Sequence, residues 1–209
     1  MNRQLTRIVI SEEVKRVVFE MPADKTLGPD GMMVLFFQSF WHIVSIDIVR
    51  AVDSFFFSSR LLNFVNHTHV CFIPKKTSPM SMSDYRPISL CNIIAKIIGR
   101  VMTNRLRGFL VSIISETQSA FLSGRIISDH ILIAHELLHY MKHKVAGNNH
   151  FMSLKLDMSK AYDRIEWKFL ESIILKLGFY LTWVDWTMCL VSSVFYSFLV
   201  NGAPRGSLG

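Results

Sequence analysis

The feature that most restricts the fold is a change of hydrophobic period between residues 152 and 200. Met152, Leu154 and Leu156 alternate with Ser153 and Lys155, which predicts a half-buried strand ending at Asp157. Ile165, Phe169, Leu170, Ile173 and Leu177 then recur at helical spacing, with Gly178 as a C-cap. Residues 195–200 read as a strand again and run into Asn201-Gly202, a strong short-range hairpin signal. Strand and helix patterns alternating in this way place the chain in the α/β (α+β) class. Only seven residues follow the turn, so the return strand is expected to have little or no sequence to use. An apolar strand left as an open edge favours aggregation, and a poorly soluble chain is expected.

Upstream the pattern is mostly helical. Ser11-Glu12-Glu13 reads as an N-cap with acidic residues in the first turn, followed by Val14, Val17, Val18 and Met21 and a stop at Pro22. Gly28-Pro29-Asp30-Gly31 is a turn signal, and one long aromatic-rich helix is predicted over 32–57. Residues 67–73 are β-branched and partly alternating, a strand ending at Pro74; a polar loop covers 75–86. Ile94, Ile97, Ile98, Val101 and Met102 mark one face of a helix over 90–110, with Lys96, Arg100 and Arg107 on the other. A further helix is predicted over 128–144. Gly147-Asn148-Asn149-His150 is the best internal boundary, which divides the chain into 1–27, 28–146 and 147–209.

Half the residues are hydrophobic and mean hydropathy is +0.31, so a membrane span has to be considered. The most apolar stretch is interrupted by Gln38, His42 and Asp47, and no uncharged run reaches the roughly 18 residues a span needs. The charged start argues against secretion, and the odd count of cysteines (Cys71, Cys91, Cys189) reads as buried thiols in a reducing compartment. A net charge of +7 favours an anionic partner, with nucleic acid as the default.

A carboxylate at the end of a buried strand is held rigidly and faces solvent, which makes Asp157 a candidate ligand for a hard divalent cation. Read alone, Asp157 is more often the N-cap of the next helix. Its surroundings change the balance. Six blocks in order resemble reverse transcriptases of non-LTR (LINE-type) retrotransposons: Gly28-Pro29-Asp30-Gly31, Phe72-Ile73-Pro74-Lys75, Tyr85-Arg86-Pro87-Ile88-Ser89-Leu90, Gln118-Ser119-Ala120-Phe121 with Gly124-Arg125, Leu156-Asp157-Met158-Ser159-Lys160-Ala161-Tyr162-Asp163, and Val200-Asn201-Gly202.

The resemblance implies helix-rich fingers over 28–146 and the first part of an incomplete palm over 147–209. It makes Asp157 the first metal-binding aspartate, for Mg²⁺ or Mn²⁺, and Tyr162 the aromatic gate beside the ribose 2′-position. Lys75 and Arg86 would grip the triphosphate of an incoming dNTP, where a guanidinium can donate in pairs to phosphate oxygens. Gln118 and Arg125 would approach the RNA template or DNA primer; the basic stripe of Lys96 and Arg100 is the weaker nucleic-acid candidate. No specific protein partner is implied.

Family members complete two-metal phosphoryl transfer with a Tyr-x-Asp-Asp segment, and these 209 residues contain no Asp-Asp. The expected reading is therefore a C-terminally truncated, inactive fragment, with a noncatalytic nucleic-acid-binding remnant as the alternative.

A rival motif is His135-Glu136-Leu137-Leu138-His139, the HExxH pattern of zinc metallopeptidases, in which two histidines share a helical face beside a general base. The longer form of that motif would place its third histidine at Val145, so zinc is the minor reading. Purified protein supplied with primer, template, dNTPs and Mg²⁺ is expected to incorporate no nucleotide and to cleave no casein. Measurable extension, or stoichiometric zinc with proteolysis, contradicts the respective expectation.

Overall fold

Helix α5, Ile93–Ile113, is the axis on which the helical part is built. Its residues Ile93, Ile97, Ile98, Val101, Met102 and Arg105 are buried, a stripe with the i, i+4, i+5, i+8 spacing of one helical face. Around it pack α1 (Asn2–Leu5), α2 (Ser11–Glu20) and α4 (Trp41–Ser58), with α3 (Val34–Ser39) between α2 and α4. Val14, Val17 and Val18 of α2 and Val52 and Phe55 of α4 are almost inaccessible to solvent. The computed structural model describes every residue except 25, 121, 123, 145–150 and 159–163.

Among the described residues the remaining elements are β1 (His67–Pro74), a 3₁₀ turn (Met82–Asp84), β2 (Tyr85–Cys91), α6 (Ile127–His143), α7 (Trp167–Lys176), α8 (Leu181–Ser192), β3 (Phe195–Val200) and β4 (Ala203–Leu208). Helix-rich mixed α/β architecture is thus as expected. The strands form one sheet in the order β2-β1-β3-β4. β1 pairs antiparallel with β2 and parallel with β3, and β3 pairs antiparallel with β4. Buried Asn66 sets the parallel register: its amide donates to the Leu190 carbonyl and Ser193 Oγ, and its carbonyl accepts from the Phe195 N–H. Trp186 of α8 donates its indole N–H to the Phe56 carbonyl at the end of α4, tying the helix before β3 to the core.

Several expectations need correction. The single helix over 32–57 is two, broken at Phe40, because the Gln38 amide donates to the Val18 and Met21 carbonyls and fixes α3 across the end of α2. Ser11 is the first helical residue, and the cap position is Ile10. Part of the polar loop is β2, an edge strand, the setting in which Pro87 costs no ladder bond. Residues 151–158 form no strand: Met152, Leu154 and Leu156 are exposed, and an alternating pattern becomes a strand only when an edge pairs with it. The return strand does form, because Asn201 (φ 52°) and Gly202 (φ 77°) turn the chain in two residues and leave β4 free to pair. The three cysteines are unpaired and half-buried rather than buried. Helix α8 has little periodic signature, as expected of a helix covered on most sides. Among the described residues no helix is long and apolar enough to cross a membrane.

The polar centre of the helical part is Arg105. Its Nε and Nη2 donate to both oxygens of Glu13 at 2.9 and 2.8 Å, Nη1 donates to the Leu5 and Arg7 carbonyls, and Nη2 also donates to the Ile8 carbonyl. All five N–H donors of the guanidinium are satisfied. Its Cζ lies 5.2 Å from the centroid of the Phe56 ring, and Arg7 gives Glu13 a second cation at 3.1 Å. Burial pushes the Glu13 carboxyl up, but hydrogen bonds and charge from Arg105, joined by Arg7, outweigh it and hold the group below its usual range.

Removing one member of such a pair strands a buried charge. Arg105→Met is expected to lower unfolding free energy by about 3–5 kcal/mol in chemical denaturation, and adding Glu13→Leu to recover part of that loss. Because the native Glu13 carboxyl is depressed, its contribution is complete above the usual glutamate pKa of ~4.3 and disappears as pH falls through the lower native value. The same acid-side loss is expected to be absent from the double variant.

Candidate functional site

The β1–β2 hairpin carries the first candidate residues. Ile73 lies opposite Arg86 and Pro74 opposite Tyr85. Pairing continues one step further, since the Lys75 N–H donates to the Asp84 carbonyl at 2.7 Å. With a two-residue side-chain period, Lys75 and Ile73 share a face, and Arg86 stands on that face opposite Ile73. The hairpin therefore brings the Lys75 and Arg86 cations together at one end of one sheet face. Towards the other end stand His67, which exchanges a hydrogen bond with Ser197 Oγ at 2.8 Å, and His69, its ring centroid 5.3 Å away. Burial, and then the neighbouring His67, hold His69 below the usual histidine range.

Asp84 closes the hairpin end. Its Oδ2 takes the Lys76 ammonium at 2.9 Å and the Met80 and Ser81 N–H groups at 2.9 and 3.0 Å, in a capping box with Ser81. The Lys76 ammonium, foremost, and these amides hold the Asp84 carboxyl below its usual range. Lys75 Nζ donates to the Ser83 carbonyl at 2.7 Å, while no hydrogen bond or ion pair among the described residues engages the exposed Arg86 guanidinium. The strand ends that root this hairpin meet at Asn92, which the sequence reading did not single out. Asn92 occupies the cap position of α5 yet makes no cap bond. Instead Oδ1 accepts from the Asp30 N–H, and Nδ2 donates to the Phe64 and Val65 carbonyls just before β1. A Cβ on Gly28 would lie 2.6 Å from the Cys91 carbonyl group, which explains a glycine at the head of that turn.

The other candidates form separate groups. Arg125 Nη1 donates to the Ser115 carbonyl at 2.6 Å and to the Gln118 carbonyl, so Gln118 and Arg125 belong to one self-bonded loop. Lys96 and Arg100 are one turn apart on α5 and line an open pocket of about 220 Å³ with Glu20, Met21, Pro22 and Thr103. Lys96 Nζ donates to the Thr26 carbonyl, and the buried Arg100 Nε has no hydrogen-bond partner among the described residues. Asp157 is exposed within the irregular stretch 151–158. Tyr162 lies outside the described residues. No described contact joins Asp157 to Lys75 or Arg86.

A carboxylate is the donor type that Mg²⁺ and Mn²⁺ take, so Asp157 fits such an ion in chemistry but supplies one ligand. Among the described residues no group of three or more His, Cys, Asp or Glu side chains could hold a metal. That also bears on the HExxH motif. His135, Glu136, His139 and His143 line one pocket of about 360 Å³, but its other lining residues are Tyr140 and Lys144, so among the described residues no ligand from another element closes it.

Comparison with known proteins adds an independent line. Residues 73–207 match the family described as reverse transcriptase (RNA-dependent DNA polymerase). The chain is 28% identical over 168 residues to a Transposon TX1 uncharacterized 149 kDa protein of Xenopus laevis, covering 80% of this chain and 13% of that protein. It is 20% identical over 188 residues to a retrovirus-related Pol polyprotein from type-1 retrotransposable element R2 of Nasonia vitripennis, covering 87% and 17% respectively. The chain thus spans less than a fifth of the length of either relative.

The Asp84 lock is open to direct test. Asp84→Ala is expected to speed hydrogen exchange at the Met80 and Ser81 amides while leaving exchange in α5 unchanged. Equal exchange at those amides in both proteins would show that Asp84 does not hold the loop.

Proposed function

Because the chain belongs to the reverse transcriptase (RNA-dependent DNA polymerase) family, we propose that it forms the nucleotide-gripping part of a polymerase of non-LTR retrotransposon type. The overall reaction is template-directed addition of dNTPs to a primer 3′-hydroxyl. The observation that supports this reading best is the shared face of Lys75 and Arg86 on a hairpin whose end is closed by Asp84. An ammonium and a guanidinium so placed offer a point charge and a forked donor to one polyphosphate, and preorganisation of the loop lowers the cost of ordering them.

In this reading residues 28–146 are fingers and residues 147–209 open the palm, with the sheet drawing two strands from each. Reverse transcriptases generally use divalent metal ions. Here Mg²⁺ or Mn²⁺ would be held by Asp157 with phosphate oxygens of the nucleotide; when bound, such ions activate the primer hydroxyl and neutralise the leaving pyrophosphate. The chain's own contribution is to bind and orient the triphosphate. Tyr162 is assigned the ribose gate. RNA template and DNA primer are assigned to the loop shaped by Arg125 and Gln118, and Lys96 and Arg100 to their phosphates. Copying RNA into DNA would place the protein in the nucleus or cytoplasm.

Lys75→Ala and Arg86→Ala are each expected to weaken binding of a dNTP with Mg²⁺ about tenfold, the equivalent of one charge-assisted contact. NMR titration of the 209-residue chain reads this directly. RNA binding is expected to weaken steeply between 50 and 200 mM salt (~10-fold or more). Unchanged dNTP affinity in both variants would remove the grip from this hairpin. Salt-sensitive RNA binding without any dNTP binding would favour a noncatalytic nucleic-acid-binding role instead.

A further inference from the structure

The segment between the two gripping residues has chemistry that the polymerase reading does not use. Residues 77–79 are Thr77-Ser78-Pro79, and Ser78-Pro79 is the one place in the chain where proline follows serine or threonine. Ser78 is exposed. The chain on either side is fastened, Lys75 to Asp84 through the backbone and Met80 and Ser81 to the Asp84 carboxylate. Between these anchors, no hydrogen bond among the described residues engages the backbone of 77–79. Residues 75–78 form a bend, and Pro79 has no N–H to satisfy. An exposed Ser-Pro on a loop segment free of such bonds can be drawn out into the cleft of a proline-directed protein kinase.

The neighbourhood gives the modification a consequence. Lys75 and Lys76 are three and two residues before Ser78, and Arg86 shares the Lys75 face. Lys76 already holds one anion, Asp84, at 2.9 Å. A phosphoserine carries about −1.5 to −2 charges at neutral pH with three acceptor oxygens. Placed here, it would engage the same cations that the reading above assigns to a triphosphate.

We propose that Ser78 is a phosphorylation site for a proline-directed kinase and that its phosphate competes with the incoming nucleotide for Lys75 and Arg86. The inference rests on the grip reading for its consequence, not for the site. In the transfer, Ser78 Oγ bonds to the γ-phosphorus of ATP as the β–γ bridging P–O bond breaks. ADP leaves, and the serine proton passes to the kinase's base.

The test is to incubate the 209-residue chain with a purified proline-directed serine/threonine kinase and ATP, map phosphate by mass spectrometry, and titrate a dNTP with Mg²⁺ into both forms. Expected are near-stoichiometric phosphate at Ser78, none there in Ser78→Ala, and about tenfold weaker dNTP binding after phosphorylation. Absence of phosphate at Ser78 after exhaustive treatment overturns the site. Phosphate at Ser78 with unchanged dNTP affinity, while Lys75→Ala and Arg86→Ala do weaken binding, overturns the competition and leaves the grip standing. If those two variants bind dNTP as well as the parent chain, the grip itself fails, and the competition fails with it.

Discussion

The helical half of this protein depends on one buried ion pair. Arg105 reaches from α5 into the N-terminal segment, where Glu13 and the carbonyls of Leu5, Arg7 and Ile8 take every proton the guanidinium has to donate. Burying a guanidinium costs several kcal/mol unless it is completely paired, so the arrangement is all or nothing. The pair also fixes what hydrophobic packing leaves loose. Valines and isoleucines of α2 and α5 can slide against one another at small cost, whereas a bidentate fork with three further carbonyl acceptors has a single register. A lysine at 105 would keep the charge but not the fork, leaving most of these acceptors unmet.

A second constraint links that scaffold to the hairpin. Asn92 stands where β2 becomes α5, and its amide is used on the turn before β1 and on the turn of Gly28 to Gly31. The end of one strand, the start of its partner and the head of the central helix are therefore held by one side chain. Gly28 is the complement, since only a residue without Cβ allows the backbone at Cys91 to come so close. The strands that carry Lys75 and Arg86 thus grow out of a fixed base, and Asp84 fixes their far end.

Much of this was legible because it is local. The strand at residues 67–74, the helices α5, α6 and α7, and the Asn-Gly turn each follow from period or turn chemistry, and the ordered motif blocks pointed to the family. What was hidden depends on partners distant in sequence. Nothing near Phe40 announces a helix break, because Gln38 makes it by bonding to α2. Pro87 masked the alternation of β2. The role of Arg105 has no local sign, because its acceptors lie about a hundred residues away. Conversely, the alternation of residues 152–156 was read correctly as a pattern, but a pattern has no strand without an edge to pair with. For the candidate site the reading found the residue types on the hairpin and missed Asn92 and Asp84, the residues that hold it.

The parallel pairing of β1 with β3 has a consequence in time. His67 meets Ser197, 130 residues later in the chain. During synthesis at about 5–20 residues per second, the β1 edge stands open for on the order of ten seconds before its neighbour exists. Until then the hairpin has the long apolar flank of an unfinished sheet, and non-local pairing of this kind forms slowly even when both strands are present. The nascent chain's exposure to wrong partners is therefore set by the order in which its strands are made, more than by the stability of the sheet they finally form.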